Sequence, residues 1–182
     1  GPRTLELAGR AYDMVVLHTF FSDETTARVV REIRQAAEQA GRDPAEVKVW
    51  SCYATVSDEI DEQTFRKKTV GRIATYLQVY GDLLVETNRW DPVVLERFRN
   101  SDVVQGLPGW ADAVGDDATF DRLQDVIPDE WLACAATGSA ERCADLVRHQ
   151  FELGVDGVIM HGATPSELAS TVAAFTGQLQ KV

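Results

Sequence analysis

Positive charge is what this sequence has least of. Its 18 Lys and Arg face 29 Asp and Glu, for a formal net charge of −11 and a pI near 4.7. Nucleic acid is a poor partner for such a chain, because phosphate binding needs an excess of cations and the counterion release they bring. An anionic membrane surface is excluded on the same ground. Three cysteines, Cys52, Cys134 and Cys143, are odd in number, and no two have the spacing of a zinc knuckle or a CxxC redox pair. They read as reduced thiols of a cytoplasmic protein. Long apolar runs are missing too: stretches such as 14–17 and 158–160 are far short of the ~20 residues of a membrane span. The amino terminus lacks the basic, apolar and small-residue zones of a signal peptide.

What remains is globular in kind. Apolar residues make up 45% and charged residues 26%, with 13 Gly and 6 Pro, too apolar for disorder and too varied for a fibre. A length of 182 residues predicts one domain, 1–182, with a sizeable core. The clearest element is a helix over 24–40, where Val30, Ile33, Ala37 and Ala40 recur at helical spacing between Ser22 or Asp23 as cap and Gly41 as stop. After a turn at Asp43 and Pro44, the run 47–56 reads as a buried strand. A long polar helical stretch follows over 58–85 and breaks before Pro92. Residues 86–130 read as a helical insertion of short helices and loops, anchored by Trp90, Phe98, Trp110, Phe120 and Leu123. The apolar run 131–136 is assigned to a strand, although periodicity alone leaves a helix end open. Ser139 then opens a helix with Cys143, Leu146, Val147 and Phe151 inward, and 155–160 is again a strand. Thr164, Pro165 and Glu167 form a capping box before a last helix with Leu168, Val172, Phe175 and Leu179 on its apolar face.

The most informative pattern is an internal echo. Asp13, Met14, Val15, Val16, Leu17 and His18 correspond to Asp156, Gly157, Val158, Ile159, Met160 and His161, each run following a helix and preceding a loop into a capped helix. Apolar strands alternating with helices predict a parallel sheet, with 15–17, 49–54 and 158–160 adjacent and buried on both faces. In such sheets, and in (β/α) barrels, ligands sit beyond the carboxyl ends of the strands. That places His18, Thr19, Ser57, Thr137, Gly138, His161 and Gly162 where function is expected. Four strands are visible, and the chain opens on a helix, 4–10, with no strand before it. A complete barrel has eight strands and ~250 residues. The expected fold is therefore α/β of the (β/α) TIM-barrel type, present as its carboxyl-terminal half of four βα units with a helical insertion.

These residues also resemble a family. Gly1, Pro2, Arg3, Thr4, Leu5, Glu6, Leu7, Ala8 and Gly9, followed by Asp13 and its strand, are similar to a segment near the middle of the luciferase-like monooxygenases. Thr137, Gly138, Ser139, Ala140 and Glu141, with Gly154, Val155, Asp156, Gly157 and Val158, resemble the last barrel unit of that superfamily. The chain is most similar to the actinobacterial branch that uses the deazaflavin coenzyme F420. Met14 departs from the Gly usual after the strand-leading Asp, and Ala140 from the usual Pro. The resemblance implies a hydride transfer between coenzyme F420 and a small organic substrate, with an FMN-dependent monooxygenase as one alternative and a non-catalytic truncated half-barrel that dimerises as the other. It also implies that the cofactor phosphate lies at the Gly1-Pro2 helix start. Helix N-termini suit anions, and since Pro2 has no N–H the donors would be Arg3 and Thr4. A Gly-Pro pair at a terminus is also what a cleaved expression tag leaves, but the unbroken continuation to Gly9 favours native sequence.

Further candidates carry an ordinary reading beside the functional one. Gly138 and Ser139 offer a second anion site, or Ser139 simply caps its helix, which is the favoured reading. His18 and Thr19 are expected to line the cofactor pocket. A metal held by His18 and His161 is not expected, because Asp13 and Asp156 lie at the opposite strand ends. His149 belongs to the surface. The basic run Arg66, Lys67, Lys68 and Arg72 reads first as a solvated helix face and second as a contact for an anionic cofactor tail. Trp50, Trp90, Trp110 and Trp131 read as packing. Half a barrel exposes strand edges and an apolar interior, so a homodimer or partner half is expected to cover it. The isolated fragment is expected to retain anion binding and to lack turnover.

Overall fold

The computed structural model describes residues 1–179, with side chains described through residue 177. Four strands, β1 (Met14–Val16), β2 (Lys48–Ser57), β3 (Ala136–Gly138) and β4 (Gly157–His161), form one parallel sheet. β2 is its hub. Its first residues pair with β1, with Val15 opposite Val49, and its middle pairs with β4, with Cys52 opposite Ile159. Its last three residues pair with β3. The adjacent parallel strands read from the sequence are therefore present. Among the described residues β3 and β4 both join β2 rather than each other, so the sheet stays open and no barrel closes.

The expectation of strands buried on both faces is corrected. Val15, Val49, Ser51 and Tyr53 turn toward α2 (Asp23–Gln39) and α10 (Ala140–Glu152), where Val49 meets Val29, Ile33 and Ala37, and Tyr53 meets Cys143 and Val147. The opposite face has no such layer at its amino end: Met14 is 55%, Val16 53% and Ile159 39% exposed. Only its carboxyl end is covered, where Ala54 joins the cluster built around α4 (Arg72–Asn88).

α1 (Pro2–Ala11) lies on α2 at a glycine. A Cβ at Gly9 would stand 2.3 Å from the Ile33 carbonyl oxygen and 2.7 Å from the Ala36 Cβ. Arg42 donates to the carbonyls of Gly9 and Tyr12, 2.9 Å each, and so satisfies the last turn of α1. Ser22 caps α2 by accepting from the Thr25 N–H, and Gly41 at φ 74° ends it.

The helical stretch expected over 58–85 is present from Glu62 to Asn88, as α3 (Glu62–Arg66) joined through a π turn, Lys67–Gly71, to α4, which has a non-helical residue at Tyr80. The Thr69 hydroxyl donates to the Phe65 carbonyl at 2.8 Å, a local back-bond of the kind that bends helices. Gly71 meanwhile lies against the Phe120 ring, only 2.7 Å from where a Cβ would be. Neither signal has a hydrophobic period, which is why periodicity does not show the π turn.

Beyond α4 come the short helices α5 (Pro92–Arg99), α6 (Asp102–Gln105), α7 (Ala111–Val114), α8 (Asp117–Val126) and α9 (Asp129–Leu132). Phe98, Phe120 and Leu123 are buried among them and against Leu77 and Leu84 of α4, as anchors should be. Trp110 is not an anchor, being 55% exposed. The strand assigned to 131–136 is corrected as well. Trp131 sits in α9 and stacks on Trp90 at 4.4 Å, and β3 begins only at Ala136. The run is uniformly apolar because it passes directly from one buried cluster into the sheet.

On α10 the inward residues are Cys143, Ala144, Val147 and Gln150, while Phe151 falls one position past the stripe and is 40% exposed. The capping box forms as read: the Thr164 N–H donates to Glu167 Oε2 at 2.6 Å, and the Glu167 N–H to Thr164 Oγ1 at 3.4 Å. The last helix, α11 (Ala169–Leu179), buries Thr171 beside Leu168 and leaves Val172 40% exposed. The Leu179 side chain lies outside the described residues.

Burial pushes the thiols of Cys134 and Cys143 up to about 12 and about 11, and Cys52, half-buried on the open face, upward as well. Thiolates are the reactive species. At pH 8, Ellman's reagent is expected to label at most one thiol of the native protein, Cys52 slowly, and all three after denaturation. Rapid labelling of two or more in the native state would contradict this core.

Candidate functional site

Beside β1, at the edge of the sheet, α1 borders a cavity of about 410 Å³. It is walled by the start of α1 (Gly1, Pro2, Thr4), the end of β1 with the residues after it (Val16, Leu17, His18), and Arg28 and Glu32 of α2. Leu83, Glu86 and Thr87 of α4, followed by Arg89, complete it. Gly1, Pro2, Thr4 and His18, named from two separate segments of sequence, thus face one space. Arg3 and Thr19 do not line it, and neither do Gly138 and Ser139.

The donors differ from those expected. The Thr4 N–H is already taken by the Gly1 carbonyl at 3.0 Å, so the backbone donor left by the first turn of α1 is that of Arg3, and Thr4 offers its hydroxyl. The cations come from residues that sequence reasoning passed over. Arg28 is held by the Thr87 carbonyl at 2.6 Å and by Glu32 at 3.4 Å. Arg89, left-handed at φ 57° as the C-cap of α4, has no carboxylate partner among the described residues.

One buried amide joins the two walls. Asn88 accepts from the Ser22 N–H at 2.9 Å and donates to the Phe20 carbonyl at 3.0 Å. It thereby holds Phe20 in a left-handed conformation, φ 60°, uncommon for a bulky residue and found where function constrains the backbone. The signal available was weak: a polar residue just before a helix break, with its partners 66 and 68 positions away.

The two histidines of the echo meet through one tyrosine. The Tyr76 ring lies 5.7 Å from His18 and 6.5 Å from His161. His18 Nδ1 donates to the Thr19 carbonyl at 2.9 Å. Burial, with Arg72 and His18 nearby, pulls the His161 pKa down, and its buried Nε2 has no partner among the described residues. The Thr19 hydroxyl is likewise buried and unpartnered. Among the described residues no three His, Cys, Asp or Glu are grouped to hold a metal.

Gly138 and Ser139 behave as a helix start. Ser139 Oγ accepts from the Arg142 N–H at 3.3 Å, and the Arg142 stem crosses Gly138 where a Cβ would be 2.9 Å away. The basic run is not a free face. Arg66 pairs with Glu62 and Asp121, Lys68 with Glu167, and Arg72 with Asp112. His149 is a surface residue whose pKa is raised by Glu152 and Asp23.

A parallel sheet layered with helices is a frame that many enzymes share. The profile of the luciferase-like monooxygenases matches residues 1–157, and the chain belongs to that family. It is 28% identical over 163 residues to the 5,10-methylenetetrahydromethanopterin reductase of Methanolobus tindarius, a match spanning 87% of this chain and 45% of that protein. Its fold is similar to that of the coenzyme F420 dependent tetrahydromethanopterin reductase from Methanopyrus kandleri, with a TM-score of 0.63 and 19% identity over 98% of this chain and 47% of that one. It is also similar to the long-chain alkane monooxygenase LadA, with a TM-score of 0.54 and 16% identity over 100% of this chain and 39% of that one. The chain thus spans about half the length of these relatives. Among the described residues no helix is long and apolar enough to cross a membrane.

Proposed function

We propose that the chain is the carboxyl-terminal half-barrel of an F420-dependent oxidoreductase, moving a hydride between the deazaflavin and a small organic substrate, and that residues 86–130 are an insertion in it. The observation that carries this reading is the cavity at the α1 start, where Gly1, Pro2, Thr4 and His18 converge with Arg28 and Arg89. The donors that line it suit a phosphate: the Thr4 hydroxyl at the positive end of a ten-residue helix and the guanidinium groups of Arg28 and Arg89. Glu32 and Glu86 would repel an anion, and Arg28 lies against Glu32 to neutralise it.

Bound there, the deazaflavin would supply the two-electron hydride carrier, so the work of this chain is binding, orientation and exclusion of water. Asn88 fixes the loop that carries His18, and Leu83, Leu17 and Phe21 give the cavity an apolar floor. FMN, which also ends in a phosphate, is the second reading. The open sheet face, with Met14, Val16 and Ile159 exposed, supports a homodimer or partner half-barrel that completes the site, and turnover by residues 1–182 alone is not expected.

Binding of F420, followed by its fluorescence, tests the reading. Arg28→Ala is expected to weaken it about 10-fold or more, the effect of one lost charge-assisted hydrogen bond. Riboflavin, which has no phosphate, should bind both proteins alike. An unchanged F420 affinity in Arg28→Ala would remove the cavity from the cofactor site.

A further inference from the structure

A second cavity, about 240 Å³, lies across the loop that follows β1 and plays no part in the reading above. Its walls are chiefly apolar, with Phe20, Val56, Phe65, Ile73, Leu132 and Ala135 among them. A single charged residue, Lys68, lines it.

Lys68 arrives there because of the π turn. Three successive residues, Lys68, Thr69 and Val70, all line the cavity, whereas neighbours on a regular α-helix point to different sides. The ammonium group donates to Glu167 Oε2 at 2.5 Å. That oxygen needs no lysine. It already accepts the Thr164 N–H at 2.6 Å and the Thr164 hydroxyl at 2.9 Å within the capping box. Lys68 and the Thr164 donors together hold the Glu167 carboxyl down at about 2, so it is ionised at neutral pH. Both side chains keep some exposure, 19% and 22%, so a ligand entering the cavity can reach the pair. Lys68 is therefore a cation at the edge of an apolar hole, with a carboxylate partner that is held by other donors as well, in a chain of net charge −11.

We propose that this cavity binds a small organic acid, its apolar body in the hole and its carboxylate taking the place of Glu167 on Lys68. The space equals roughly eight water-sized volumes, which suits a single ring or a short alkyl chain. The assignment does not depend on which cofactor the first cavity takes.

The test is binding of 4-fluorobenzoate to the whole chain at pH 7, followed by fluorine NMR, with 4-fluorobenzamide as the neutral control. The acid is expected to bind about 10-fold more tightly than the amide, and Lys68→Gln to bring it to the level of the amide. Glu167→Gln keeps the capping box, since Gln serves at that position, but removes the competing charge, so the acid should bind about 2- to 5-fold more tightly. A purely structural ion pair would weaken binding in both variants. Ala135→Leu should exclude acid and amide alike. The proposal is overturned if the wild-type chain binds no acid at millimolar concentration, if acid and amide bind equally, or if Glu167→Gln weakens the acid. Far-UV circular dichroism identifies any variant that fails to fold, and the opposite signs expected for Lys68→Gln and Glu167→Gln decide the matter without Ala135→Leu.

Discussion

Trp131→Ala is expected to lower stability by about 3–5 kcal/mol, the range for truncating a buried large aromatic. The indole is 2% exposed and stacks on Trp90 with 4.4 Å between ring centroids and 11° between planes. It belongs to the cluster of Leu84, Phe98, Phe120 and Leu123 that joins the short helices to α4. α9, four residues long, has little stability of its own, and its place depends on this contact. In a domain of this size the loss corresponds to a fall of roughly 6–20 °C in Tm. Trp110→Ala is the control. That ring is 55% exposed, and its removal should stay within about 0.5 kcal/mol. Urea denaturation monitored by circular dichroism measures both, and similar losses would mean that Trp131 does not anchor the short helices.

Gly9→Ala should destabilise the protein by about 1–3 kcal/mol, although the same change in an open helix stabilises by about 1 kcal/mol. The sign reverses because the new methyl would lie 2.3 Å from the Ile33 carbonyl oxygen and 2.8 Å from the Ala37 nitrogen. Both are backbone atoms of α2 and cannot turn aside, so α1 must move. Gly177, with nothing within 4 Å of its Cβ position, should show the ordinary stabilising sign as Gly177→Ala. Because α1 carries Gly1, Pro2 and Thr4 into the cavity, Gly9→Ala should also weaken F420 binding, while Gly177→Ala leaves it unchanged. Matching thermal shifts in the two variants would refute the close crossing.

Features written in a local pattern were legible before any coordinates. Val30, Ile33 and Ala37 announced α2, Thr164 and Glu167 announced their capping box, and the paired runs ending in His18 and His161 announced parallel strands. The family could be read from Gly1 to Gly9 and from Thr137 to Glu141 because those motifs are contiguous. Each rests on residues a few positions apart, whose spacing alone sets which way they face.

The tertiary structure decided the rest, because partners distant in sequence had to be brought together first. Met14, Val16 and Ile159 are as apolar as Val49, yet they lie open, since only packing determines which face of a strand the helices cover. The run from Trp131 to Ala136 gives one apolar signal for two burial sites, a helix cluster and a sheet. The positive end of α1 was predictable from its glycine and proline. The two arginines beside it were not: Arg28 is fixed by a carbonyl 59 residues away, and Arg89 reaches the cavity only because Asn88 joins the end of α4 to the loop after β1. Periodicity describes a residue relative to its neighbours on one element, whereas a site is built where elements meet.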